Sequence, residues 1–229
     1  MISGAGTLQK DTSSASTLTL SYTNTYTGPT NVVLGTVKVT STGGLGSTSG
    51  VTVSSGGTLA LYSSSGSITV STPITLGSVV GTTGTLINLQ GNNSIANLIT
   101  LSGDATITSA QDTLTISGTR GNAFTNAGGV TDNTLTLDAN SGNVSVSGII
   151  GIGTGKLIAS GTGTVTLSAA NTYTGTTTIN SDSKLALTSS GAFSSSSDVV
   201  VNGIFDISAA SGDTSIIGLK GASTGSVVL

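Results

Sequence analysis

The strongest constraint on this chain is a recurring triplet in which two apolar residues flank one polar residue. It occurs as Leu18-Thr19-Leu20, Val51-Thr52-Val53, Ile74-Thr75-Leu76, Ile99-Thr100-Leu101, Leu135-Thr136-Leu137 and Val165-Thr166-Leu167, among others. A period of two sends the outer pair to one side of an extended backbone and the middle residue to the other. The middle position also accepts Lys38, Ala60, Ser145, Ala186 and Asp206. Such tolerance marks it as the solvent side, so the triplets read as short half-buried strands. No segment has the 3.6-residue period, the caps or the length of a helix.

Between the triplets lie breaks such as Gly56-Gly57, Gly91-Asn92-Asn93, Gly128-Gly129, Ser141-Gly142-Asn143 and Gly161-Thr162-Gly163, whose residue types favour turns. Charged residues make up 7% of the chain, against roughly 25% in an ordinary globular domain. Disorder calls for high charge and low hydrophobicity. Here the net charge is −3 and 35% of residues are hydrophobic, which argues for an ordered chain. A β-sandwich is the structural alternative, but only 3% of residues are aromatic, which favours a narrower core. Absence of Cys excludes disulfides and thiolate metal sites. No basic stripe is present to meet a nucleic-acid backbone, and no apolar run approaches the roughly 20 residues of a membrane helix.

One long-range repeat stands out. Leu18-Thr19-Leu20-Ser21-Tyr22-Thr23-Asn24-Thr25-Tyr26-Thr27-Gly28 aligns with Val165-Thr166-Leu167-Ser168-Ala169-Ala170-Asn171-Thr172-Tyr173-Thr174-Gly175. The match continues from Val37-Lys38-Val39 to Leu185-Ala186-Leu187, from Val51 to Val199, and from Leu59 to Phe205. Residues 1–229 then form one continuous segment, with a first repeat unit over about 14–160 and the start of a second over about 161–229. Short one-faced strands, glycine-rich turns and a repeat predict a sheet coiled on itself, each coil burying its inward residues against the next. At about 20–25 residues per coil the chain gives about ten coils, a single elongated rod on the order of 50 Å long.

The doubled Asn-Thr-Tyr-Thr-Gly resembles the autotransporter-associated β-strand repeat, whose pattern runs from glycines through T-L-T-L-S to N-T-Y-T-G and T-T-I-N. The second copy follows it from Gly161 to Asn180 and on to Leu185. The first departs at Pro29 and Val32-Val33 and lacks the leading glycines. The resemblance implies an all-β, right-handed parallel β-helix from a surface-exposed or secreted bacterial passenger, exported through the outer membrane. It implies adhesion, surface display or passenger secretion as the role. The partner is then a host or neighbouring cell surface, or another copy through the solenoid's ends or edges. Nucleic acid is not expected, and the membrane enters only through a translocator absent from this chain. Residues 1–4 have neither the basic nor the apolar part of a leader, so the expectation is an internal slice of an exported parent.

The motif residues Asn24, Tyr26, Gly28, Asn171, Tyr173 and Gly175 read as structural: Asn bonding turn backbone, Gly freeing a tight bend, and the Tyr ring over the turn with its hydroxyl in water. No catalytic, cofactor or metal residue is assigned. Without His, Cys or Glu, acid–base chemistry falls to nine Asp: Asp11, Asp104, Asp112, Asp132, Asp138, Asp182, Asp198, Asp206 and Asp213. A stacked pair of these in a polysaccharide-cleaving solenoid is one alternative. Calcium would most easily find Asp132-Asn133 and Asp138-Ala139-Asn140, which read better as turns. Gly151-Ile152-Gly153-Thr154-Gly155-Lys156 fails the phosphate-loop spacing and reads as a coil corner. Threonine pairs such as Thr17/Thr19, Thr113/Thr115, Thr134/Thr136 and Thr164/Thr166 raise an ice-binding solenoid, but they fall irregularly along the sequence. The reading that remains is a non-enzymatic structural and adhesive module.

Overall fold

The computed structural model describes residues 1–77, 83–194, 197–212 and 214–229. Among them the chain is all-β, with no helix. Its short strands stack into three parallel sheets that form the faces of one β-solenoid of about ten coils. Face A holds seven strands, from Leu8–Lys10 to Ile149–Gly151. Face B holds ten, from Thr17–Leu20 to Gly218–Gly221. Face C holds eight, from Thr69–Val70 to Ser226–Val228. Ten strands at about 4.8 Å apart make a stack on the order of 45 Å tall.

The triplets set the register. On face B, Leu18, Val37, Leu59, Leu86, Ile107 and Leu137 form one inward column, and all but Leu18 are fully buried. Each coil can bury this face only against its neighbours, so the core is a ladder of like-sized aliphatics rather than a central aromatic cluster. Coil length varies widely. Leu18 stacks on Val37 across a short coil, whereas Ala105 stacks on Leu135 across a much longer one. Most extra residues leave as loops at the corners, while within the ladder the register shifts at Leu61/Tyr62, Asn122/Phe124 and Ala186/Thr188.

That variation conceals order on the outside. Thr17, Thr36, Thr58, Thr85, Thr106 and Thr136 form one unbroken outward column on face B. Threonines that looked irregular in sequence are therefore regular in space. The column is one residue wide: beside it run Thr19, Lys38, Ala60, Ile87, Thr108 and Asp138. Two middle residues depart from the expected solvent exposure, since Ala60 is 1% exposed and Ala186 8%. A methyl group is too short to clear the longer side chains stacked above and below it.

Candidate functional site

The doubled motif is the best-defined constellation among the described residues; most of it runs extended, with bends at Gly28 and Gly175. From Asn24 to Thr30 burial alternates, with Asn24, Tyr26, Gly28 and Thr30 inward and Thr25, Thr27 and Pro29 outward. Asn171 and Tyr173 point inward between exposed Thr172 and Thr174 in the same way. The motif is an extended segment that takes the place of a strand. The chain visits faces in the order A, B, C. The first copy leaves face B at Leu20 and returns to face A at Thr30, so it stands where face C would be. The second leaves face C at Leu167 and returns to face B at Thr177, so it stands where face A would be.

The repeat is thus rotated by one face. The sequence matches obey the rotation: Val37 on face B matches Leu185 on face C, Val51 on A matches Val199 on B, and Leu59 on B matches Phe205 on C. Face C strands begin only after the first copy, and face A strands end before the second. Each motif copy lines the face that has no strand in its coil; face C is first stranded at Thr69–Val70, after a further coil whose residues 42–47 form turns, and the last face A strand, Ile149–Gly151, belongs to the coil just before the second copy.

The side chains replace what a strand would supply. The Asn24 amide bridges three coils, accepting from Ile2 N at 2.7 Å through Oδ1 and donating from Nδ2 to Gly44 O at 2.7 Å. Asn171 repeats this, accepting from Ile150 N at 2.9 Å and donating to Ala192 O at 3.0 Å. A carboxamide has the donor and acceptor of one peptide unit, so each Asn inserts an extra rung into the coil-to-coil ladder. Main-chain bonds flank it: Thr25 N donates to Ile2 O, and Thr172 N to Ile150 O.

The tyrosines sit deeper than the sequence suggested. Tyr26 is 1% exposed and Tyr173 fully buried, so neither hydroxyl is wet. Tyr26 Oη lies 2.8 Å from Thr30 Oγ1, which donates on to Thr48 Oγ1, which bonds Gly28 O. Tyr173 Oη is bonded to Thr177 Oγ1. A buried phenol needs such a partner. Burial raises the pKa of both phenols, partly offset by the threonine hydrogen bond. In the second copy the ring also meets Phe193 edge-on at 6.3 Å, and Phe193 stacks on Phe205 at 5.5 Å.

The glycines act by close approach. A Cβ on Gly28 would collide with Gly6 O, and one on Gly175 with Gly155 O. The chain bends at both glycines, as expected, yet neither has a positive φ, so it is close approach rather than backbone freedom that calls for glycine there. The partners Thr30 and Thr177 were not singled out in the sequence. The signal was present, as a Thr four positions after each motif Tyr.

The remaining candidates separate. Asp11 accepts from Gln9, Asp104 from Thr134 N, Asp112 from Gly91 N, Asp132 from Thr154 and Asp138 from Ser160. Asp198 pairs with Lys220 and Asp206 with Lys184. Asp182 is in a turn at φ 64°, and Asp213 lies outside the described residues. Among the described residues no three acidic side chains gather as a metal site. Asn133 points into the core, 1% exposed, and Ala139 is fully buried, so neither Asp-containing segment converges its oxygens. The glycine run 151–156 forms the corner between the Ile149–Gly151 and Lys156–Ser160 strands.

Two stretches, residues 13–39 and 157–181, match the family model of the passenger-associated transport repeat. They contain all six motif residues. No curated protein and no solved structure matches the chain. The matched stretches hold the two motif copies, each on a face that has no strand in its coil.

Proposed function

We propose that this chain is a stalk segment of an exported bacterial passenger, serving display, adhesion and secretion of the protein that contains it. The observation that carries the reading is the pair of transport repeats built into a continuous solenoid. Each repeat ties one coil to the coils before and after it through Asn24 or Asn171. Stability in such a stack is a sum of nearest-neighbour terms, so coils can form in succession as a chain emerges from a pore. A repeat that fastens each new coil to the last would keep the emerging part from sliding back. The repeat family suggests an exported, surface or extracellular location and a structural module rather than an enzyme. The weakly charged exterior suits a spacer that holds other regions away from the cell.

The test is to place this chain between a secretory leader and an outer-membrane translocator and to follow its exposure to protease on intact cells. The reading expects surface exposure of the wild-type chain and reduced exposure of a chain with Asn24→Ala and Asn171→Ala. Equal exposure of the two, at equal expression, would remove the role assigned to the repeats.

A further inference from the structure

Outward positions on this solenoid mostly carry hydroxyls or charges, and one stretch of face B instead gathers three apolar side chains. Beside the threonine column, the second outward column reads Lys38, Ala60, Ile87 in three successive coils. A register shift follows, with Leu61 opposite Asn88 but Tyr62 opposite Gln90. The extra residue is Leu89, which the strand's alternation places on the outer side with Ile87, between buried Asn88 and half-buried Gln90. Leu89 and Ile87 are half-buried and wall a groove of about 500 Å³, with Thr36, Thr58 and Ala60 on its floor and Lys38 within it. Lys38 Nζ stands 4.0 Å from the Tyr62 ring centroid. Solenoid packing does not call for apolar side chains on this outer side.

We propose that this groove binds an extended glycan chain bearing carboxylates, laid along the solenoid axis. A pyranose ring has apolar C–H faces and a hydroxyl-bearing rim. The groove offers the complement of both, an apolar wall and a column of threonine hydroxyls. The column repeats at each coil, about 4.8 Å, so successive sugars of an extended chain meet equivalent donors and acceptors. Among the described residues, Lys38 is the one charged side chain lining the groove. Asp104, opposite Thr83, and Asp138, opposite Thr108, lie on the same face beyond the groove. An uncompensated ammonium, held in place over an aromatic ring, selects an anion. The Gly35–Val39 and Gly57–Tyr62 strands are already paired on both sides; the nearest open edge is that of Thr17–Leu20, the end strand of face B, and a peptide strand added there would run across the groove rather than along it. The inference rests on the adhesive half of the function proposed above and gives it a ligand class.

The experiment is calorimetric titration of the intact chain with a hexamer of galacturonic acid and, separately, with cellohexaose. The uronate is expected to bind more tightly than the neutral hexamer and to weaken with added salt. Lys38→Gln is expected to lower uronate affinity roughly tenfold, with Lys38→Arg retaining most of it. Leu89→Ser is expected to weaken both sugars, and Thr166→Val on face C neither. No uronate binding, equal binding of the two hexamers, or uronate binding unchanged by Lys38→Gln would overturn the proposal. Lys38 and Leu89 point outward, so an unchanged melting temperature separates lost binding from lost fold. Surface exposure of the Lys38→Gln fusion at the wild-type level separates this proposal from the stalk reading.

Discussion

Tyr173 Oη and Thr177 Oγ1 share a hydrogen bond with both side chains fully buried, and Tyr26 and Thr30 form the same pair in the first repeat. Removing one partner leaves the other unpaired in the core. Tyr173→Phe is expected to destabilise the chain by about 1–3 kcal/mol in urea unfolding. Thr177→Val added to it should cost less than the sum, because no orphan hydroxyl remains. Tyr22→Phe, at a residue 76% exposed, should be close to neutral. A strictly additive double variant would contradict the pairing.

The motif glycines are limited by space. Gly175→Ala must push the new methyl away from Gly155 O, and a loss of about 1–3 kcal/mol is expected. Gly28→Ala meets Gly6 O and should behave alike. Gly128→Ala, where a Cβ meets nothing within 4 Å, is the control. Thermal unfolding that treats all three alike would argue against close approach.

Two buried phenols and one paired carboxylate give stability a definite dependence on pH. The folded pKa values of Tyr26 and Tyr173 lie above their ordinary value of 10.0 because burial disfavours the phenolate. Their contribution is intact below pH 10.0 and is lost as pH rises through the folded values. Asp206 runs the other way. The hydrogen bond from Lys184, then those from Ser208, lower its pKa from 3.8 to about 2. Its contribution is present above about pH 3.8 and fades as pH falls toward 2. Unfolding titrations should show the alkaline loss shrink in Tyr26→Phe with Tyr173→Phe, and the acid loss shrink in Asp206→Asn.

Register can be tested because the chain has no Cys of its own. Thr106 and Thr136 are far apart in sequence and directly stacked. At about 4.8 Å their Cα atoms fall within the range a disulfide spans. Thr106→Cys with Thr136→Cys should oxidise to a single closed species. Thr106→Cys with Thr166→Cys, on a different face, should not. Failure of the first pair to close under mild oxidation would contradict the stacking.

The triplets made the strands and their burial legible in the sequence, since alternation needs only a local period. Leu135-Thr136-Leu137 is buried at both leucines and half-buried at its threonine, as that period requires. The threonine column was not legible. Unequal coils, short between Thr17 and Thr36 and long between Thr106 and Thr136, scatter its members along the sequence. Only the ladder brings them into line. The motif was found, and with it the bends at Gly28 and Gly175, but the extended, inward-facing run of its Asn and Tyr was not. Its Asn, Thr, Tyr and Gly are turn-forming types, and their inward alternation emerges only once Asn24 and Asn171 are seen to bond the coils on either side. The rotation by one face was out of reach too, because a repeat in sequence carries no record of which face it occupies. The groove at Leu89 was not legible either, because Lys38, Ala60 and Ile87 come together only through the register of three coils.

Each repeat stands in for a strand by clamping three coils through its Asn side chain. Amide hydrogen exchange in Asn171→Ala tests it most directly. Ile150 N loses its acceptor and Ala192 O its side-chain donor in that variant. Protection is expected to fall at least about tenfold at Ile150 and across residues 171–193, while Leu59, Leu86 and Ile107 keep theirs. Unchanged protection at Ile150, or a loss spread evenly over the whole chain, would contradict it.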